Sequence, residues 1–277
     1  MSLQKILKIS RPRFWIYILG PFLIGSTLQN YTLAIQNIYF WLFFIYFTFP
    51  ANILIYGIND IFDYETDKLN PKKIKYEAFV NKKEHKKLWQ IILITNLPFL
   101  LLLTQINLKS IIFLGLFLFF SIQYSAKPIR AKAIPILDSI FNILYIMPAI
   151  FGYFLIQNNN LDIKIILASF FWSMAMHSYS AIPDIKSDKQ ALTHTIATLL
   201  GFKLTTLYCF TLYTISYILS IPYLGIISHL FGGVYISLMI LTYLKREKNA
   251  FQIYKFFQII NSSLGFILFW ALILKQI

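Results

Sequence analysis

Acidic side chains are scarce in this chain: 11 Asp and Glu stand against 25 Lys and Arg in 277 residues. Charged residues of both signs amount to 13%. A soluble domain carries about 25%, so an ordinary water-soluble globule is excluded. Cysteine is nearly missing, and the lone Cys209 falls inside an apolar run, which leaves neither a disulfide framework nor a cysteine zinc site. No Ser-, Gly- or Pro-rich linker divides the chain beyond the short turn Gln157-Asn158-Asn159-Asn160, so a single domain over 1–277 is expected. Lys5, Lys8, Arg11 and Arg13 precede an apolar segment without a small-residue cleavage site, and no cleavable signal is expected.

What the chain has instead is hydrocarbon, with 58% hydrophobic and 18% aromatic residues. A bilayer crossing needs roughly 17–25 apolar residues. Runs of that kind fall at about 13–29, 39–58, 88–106, 109–125, 136–157, 163–182, 203–221, 223–244 and 255–274. They predict an all-α integral membrane protein with nine transmembrane helices around a central cavity. With the N-terminus cytoplasmic and the C-terminus outside, the inner segments are 1–13, 59–88, 126–135, 183–203 and 245–255, and they hold 22 of the 25 basic residues. That asymmetry is what the positive-inside rule demands. It also accounts for the net charge of +14 without nucleic acid. A bacterial or archaeal plasma membrane is the expected location, and no protein partner is predicted.

Six of the 11 acidic residues fall in two short segments, Asn59-Asp60-Ile61-Phe62-Asp63-Tyr64-Glu65-Thr66-Asp67 and Asp184-Ile185-Lys186-Ser187-Asp188. Each follows an apolar run and opens one of the two longest cytoplasmic loops. Asn59, Asp63 and Asp67 step by four, as do Asp184 and Asp188, so each set lines one helix face, with Asp60 one position round. One such cluster is explained well enough as a solvated helix end. Two matched clusters on one side of the membrane are not. Ionisable groups at the edge of a membrane-buried region are costly and mark functional sites.

Magnesium takes oxygen ligands, usually one or two carboxylates together with waters and substrate phosphates. Two carboxylate sets therefore suit a metal-assisted hold on a diphosphate leaving group. If the carbon it leaves is allylic, aromatic ring faces can stabilise the resulting cation, and an apolar tunnel can house an isoprenoid tail. Cations for the diphosphate are at hand in Lys72, Lys73 and Lys189, and in the loop from Tyr124 through Lys127 and Arg130 to Lys132. Topology alone also asks for positive charge in that loop.

With these residues laid out, the chain resembles the UbiA superfamily of intramembrane prenyltransferases. That family's first motif, Asn-Asp-x-x-Asp-x-x-x-Asp, is met by Asn59, Asp60, Asp63 and Asp67, and its second, Asp-x-x-x-Asp, by Asp184 and Asp188. The resemblance implies magnesium-dependent transfer of a prenyl group from a prenyl diphosphate donor to a hydrophobic acceptor, at a site facing the cytoplasm. It implies that Asp60, Asp63 and Asp67 bind one Mg2+ and Asp184 and Asp188 another. Asn59 then ligates or orients the first set at the diphosphate site, while Tyr124, Lys127, Arg130, Lys132, Lys72, Lys73 and Lys189 serve the diphosphate. Asp63, Asp184, Lys127 and His177 are the expected catalytic residues.

Three segments resemble the lycopene elongase branch: Tyr124 to Lys132, Pro135-Ile136-Leu137-Asp138-Ser139, and His177 to Asp184. Enzymes acting on 4-hydroxybenzoate tend to carry Asp where His177 stands and Tyr where Ser180 stands. They space the loop Tyr and Lys four apart, against three for Tyr124 and Lys127. The implied acceptor is a carotenoid such as lycopene. A polyene needs an apolar channel and a place for one proton, and His177 or Asp138 is expected to position the acceptor or take that proton. The alternative acceptor is a quinone precursor or another lipid. A transporter using the acidic clusters as a cation site is the competing class, although transport sites typically lie near the midplane rather than at one membrane face.

Overall fold

The computed structural model describes residues 1–68, 78–157, 159–190, 193–245 and 247–276. Every regular element among them is an α- or 3-10 helix. Eight helices are long and apolar enough to cross a membrane: Ile38–Phe62, Lys82–Gln105, Leu108–Ser125, Leu137–Ile156, Ile163–Gln190, Ile196–Leu224, Ile226–Leu244 and Phe251–Leu274. The first apolar run yields a shorter helix of 12 residues, Ile16–Thr27, because Pro12–Phe14 forms a separate 3-10 turn ahead of it. Of the nine expected crossings, eight correspond to helices of spanning length among the described residues, and the first does not reach that length. Large apolar side chains such as Leu93, Ile94, Leu97 and Leu101 stay exposed along one helix. Lipid satisfies such a surface, and the helix pairs its own backbone polar groups as a bilayer requires.

The chain packs as two compact units. One comprises Met1–Arg130, Met147–Asn158 and Leu272–Ile277, the other Ala131–Ile146 and Asn159–Ala271. In the first unit, the crossing Ile38–Phe62 is broken where Phe49 leaves helical geometry (φ −122°, ψ −58°) and Pro50 starts a new helix, Pro50–Phe62. Proline has no N–H to continue the preceding turn. The buried Asn52 supplies donors in its place, to the Phe47 and Thr48 carbonyls at 3.0 Å each. From Pro50 to Ile58 this helix is buried throughout, which makes it the unit's central element. Phe22, Phe43, Phe47, Phe117 and Phe151 pack into one core, with Phe43 and Phe151 ring centroids 4.5 Å apart. The helices Ile16–Thr27 and Met147–Ile156 meet through glycine. A Cβ on Gly25 would lie 1.9 Å from the Ala149 carbonyl oxygen, so only a residue without one permits this approach.

In the second unit, Ile163–Ala181, Ile196–Leu224 and Ile226–Leu244 form the core. Tyr213 and Tyr235 stack at 4.5 Å, and Tyr179 and Thr242 share a buried hydrogen bond of 2.9 Å. Gly201, at φ 71°, kinks the long helix within its second turn.

Candidate active site

The first carboxylate set sits where the Pro50–Phe62 helix runs out. Asp63 caps that helix with non-helical angles, and a single turn, Tyr64–Asp67, follows. The expected four-residue stepping survives the break: the Asp63 amide donates to the Asn59 carbonyl at 2.9 Å, and the Asp67 amide to the Asp63 carbonyl at 2.8 Å. Asn59 Nδ2 donates to Ser125 Oγ at 3.1 Å, which ties the motif to the end of the Leu108–Ser125 helix. Asp63 and Asp67 are half-buried, whereas Asp60 has a side chain only 3% exposed.

Two arginines reach this set. Arg11 donates to Asp60 at 3.0 Å, with its guanidinium 4.6 Å from the Tyr56 ring centroid. Arg130 donates to Asp63 at 3.3 Å. Both hold left-handed backbone, φ 51° for Arg11 and φ 48° for Arg130, a conformation costing a non-glycine residue about 1 kcal/mol or more. Lys82 donates to Glu65 at 2.6 Å and holds that carboxyl below its usual range. Of the residues expected to meet a diphosphate, Arg130 is thus beside Asp63, Lys127 is exposed three residues before it, and Tyr124 lies half-buried in the last turn of the preceding helix. Lys72 and Lys73 lie outside the described residues.

The second set belongs to the other unit. Pro183 turns the chain into a 3-10 turn, Ile182–Asp184, and the helix Ile185–Gln190 follows. Asp184 is exposed and Asp188 half-buried, with Lys189 exposed beyond them and Lys132 half-buried in the same unit. Asp184 and Asp138 both lie within electrostatic reach of Asp188.

Asp138 is fully buried at 0% exposure. Its Oδ2 accepts from the amide of Ile196, the first residue of the Ile196–Leu224 helix, at 2.9 Å, and stands 3.8 Å from His177 Nε2. Its Oδ1 is buried with no hydrogen-bond partner among the described residues. Ser139 beside it accepts from Ser178 at 3.0 Å and meets the Tyr208 hydroxyl at 3.4 Å. A histidine within an apolar helix calls for a partner, and Asp138 is that partner.

Sequence reasoning missed Arg11, which looks no different from Lys5, Lys8 and Arg13 in a basic leader. It also missed the bond from Asp138 to Ile196, 58 residues away. A left-handed arginine has no signature in composition or spacing.

Among the described residues, no three His, Cys, Asp or Glu side chains already converge as a metal cage. Magnesium asks for less, since one or two carboxylates suffice beside water and phosphate oxygens. Each unit by itself offers reachable carboxylates of the right kind, Asp63 and Asp67 in one and Asp184 and Asp188 in the other, so the residues present in each fit that ion.

Fold and side chains together define an all-helical membrane protein whose acidic groups gather where apolar helices end. The sequence model of the UbiA prenyltransferase family matches residues 18–272. The chain belongs to that family and is a prenyltransferase. It is 37% identical over 211 residues to the lycopene elongase/hydratase of Haloarcula japonica, a match covering 74% of this chain and 69% of the relative. With the lycopene elongase/hydratase of Corynebacterium glutamicum it shares 34% over 205 residues, 72% of this chain and 70% of that one. Its fold matches a UbiA homolog from Archaeoglobus fulgidus bound to GPP and Mg2+, with a TM-score of 0.69 over 96% of this chain and 99% of that chain at 19% identity.

Proposed function

We propose that this chain transfers a prenyl group from an allylic prenyl diphosphate to a polyene acceptor such as lycopene, within a bacterial or archaeal plasma membrane and from the cytoplasmic face. The observation that carries the reading is the first motif. Asn59, Asp63 and Asp67 are strung on successive four-residue backbone hydrogen bonds at the end of an apolar crossing, with arginine already beside the carboxylates. The likeness to lycopene elongase/hydratases supports the acceptor.

Magnesium would be held by Asp63 and Asp67, with Asp60 joining once Arg11 yields, and by Asp184 and Asp188, and it would supply the positive charge that makes diphosphate a good leaving group. The chain's own cations do the rest of that work. Arg130 binds phosphate oxygens bidentately, Lys127, Lys132 and Lys189 bind as point charges, and Tyr124 donates its hydroxyl. Asn59, fixed by Ser125, orients the first carboxylates. The allylic C–O bond breaks with its electron pair on the diphosphate. The apolar helices exclude water from the cation, and ring faces stabilise it by about 0.5–2 kcal/mol each. The acceptor's alkene then supplies the electrons of the new C–C bond.

The test is mass spectrometry of lipids after the purified protein meets allylic diphosphates with lycopene, 4-hydroxybenzoate or a naphthoate, with and without magnesium. A magnesium-dependent gain on lycopene is expected. A gain on an aromatic acid overturns the acceptor, and no diphosphate release with any donor overturns the chemistry in favour of a cation transporter. Asp63→Asn and Asp184→Asn should each abolish diphosphate release in a folded protein, and full turnover in both would refute the carboxylate roles.

A further inference from the structure

We propose that the second unit carries a groove for an anionic phospholipid, at the junction between the helices Ile226–Leu244 and Phe257–Leu274. The proposal stands whichever acceptor the enzyme takes. The chain leaves the first of these helices at Lys245, whose backbone is extended (φ −82°, ψ 158°) while its amide still donates to the Thr242 carbonyl. A short helix, Glu247–Tyr254, crosses the gap, and a turn at Lys255 and Phe256 leads into the second helix. These segments frame a groove of about 490 Å³, a size in the usual range for a small-molecule site.

Its lining is sorted along the helices. Lys245, Gln252 and Lys255, all exposed, supply two ammonium groups and a carboxamide donor. The apolar part is made by Leu238, Ile253, Phe256 and Ile260. Leu238 lies about two helical turns, roughly 10 Å, back along its helix from Lys245, and Ile260 stands inside the second helix beyond Lys255. Charge at the helix ends with hydrocarbon behind it is the complement of an amphiphile. Neither lysine meets a carboxylate among the described residues, and the Lys255 ammonium rests 5.0 Å from the Phe256 ring centroid. The positive-inside rule explains basic residues in this segment, but not two of them lining one groove with an apolar floor. Basic pockets between crossing helices take anionic headgroups. A prenyl diphosphate is the other amphiphile of this shape. It works with magnesium in the chemistry proposed above, and no Asp or Glu lines the groove among the described residues, so a metal-free phosphodiester is the better match. The groove borders the second carboxylate motif within its own unit. The helix Glu247–Tyr254 packs against the turn Ile182–Asp184, and Phe257 meets Tyr179 edge-on at 4.8 Å.

The experiment is native mass spectrometry of the lipids retained by the full chain after extraction from bilayers of equal phosphatidylglycerol and phosphatidylcholine. Wild type should retain phosphatidylglycerol selectively. Lys245→Gln/Lys255→Gln should weaken that selective retention by about 25-fold, since a basic residue near an anionic surface contributes about fivefold. Lys83→Gln/Lys86→Gln removes two exposed charges from the other unit and should leave it unchanged. Ile260→Trp keeps both lysines but fills the apolar part, and should release the bound phosphatidylglycerol. A phosphatidylglycerol with a diazirine in its acyl chain reads the site without any variant, and should label wild type at Leu238 or within Ile253–Ile260. The proposal is overturned by a wild type without preference, by label confined to other segments, or by full preference in Lys245→Gln/Lys255→Gln. An equal loss in Lys83→Gln/Lys86→Gln overturns it too, because diffuse charge would then suffice. Displacement of the label by geranyl diphosphate with a chelator present would make the groove a donor site and overturn the phospholipid assignment.

Discussion

Replacing Arg11 by Gln should unbalance the first carboxylate motif in a way that a second substitution reverses. Arg11 and Asp60 are 3.0 Å apart, and the Asp60 side chain is 3% exposed. At an effective dielectric of about 20, such a pair attracts by about 5 kcal/mol before desolvation is subtracted. Removing one partner of a buried pair typically costs about 3–5 kcal/mol, because the other charge stays buried and alone. The guanidinium over Tyr56 adds roughly 0.5–2 kcal/mol, and the left-handed backbone is as costly for glutamine as for arginine. The expected net loss for Arg11→Gln is therefore about 4 kcal/mol or more, read as a lowered midpoint of thermal unfolding in detergent with a chelator present. Arg11→Gln/Asp60→Asn removes both charges and should recover most of that loss. Magnesium should then stabilise Arg11→Gln more than wild type, because arginine and metal draw on the same carboxylate. A double variant no more stable than Arg11→Gln would show that Arg11 acts through packing alone, and the electrostatic account would fail.

Two further outcomes test the helix packing. Gly25→Ala forces a Cβ onto the Ala149 backbone and should destabilise by about 1–3 kcal/mol or more. Gly115→Ala meets nothing within 4 Å in the middle of a helix and should instead stabilise by about 0.5–1 kcal/mol, so paired unfolding curves check both signs. Asn52→Leu strips the donors from the Phe47 and Thr48 carbonyls beside Pro50 and should cost about 1–3 kcal/mol in the same assay.

The apolar runs were legible because a bilayer leaves the chain little choice: it must be apolar over a fixed length and satisfy its backbone internally. The stepping of Asn59, Asp63 and Asp67 was legible too, since helical spacing is written in the residue numbers. The breaks were harder. Pro50 sits in an unbroken apolar stretch, and its effect depends on Asn52 and Asn96 turning their amides to nearby carbonyls, which composition does not reveal. Arg11 and Arg130 escaped as partners of Asp60 and Asp63 because the positive-inside rule already explains a basic residue in each place. Their pairing rests on left-handed backbone that no local pattern announces. His177 signalled its need for a partner, but Asp138 shares only a chain with it, 39 residues away.

The buried carboxylates of this protein are stabilised by opposite means, and the difference bears on what each can bind. Asp60 and Asp63 stand at the C-terminal end of the Pro50–Phe62 helix, where the helix dipole presents negative charge and disfavours an anion. Glu65 and Asp67 crowd the next turn. Such a motif needs positive charge from outside the helix, and the chain delivers it through Arg11, Arg130 and Lys82 from three separate segments. On the proposed function, a site held in that balance would take up a further cation once a diphosphate brings its own negative charge. Asp138 is placed the other way. It accepts from the amide of Ile196, one of the first-turn donors of the helix that opens there and breaks at Gly201. No arginine is paired with it among the described ion pairs, and backbone amides and the His177 imidazole surround it instead. The first motif thus draws on cations from three segments, whereas Asp138 draws on backbone amides of its own unit.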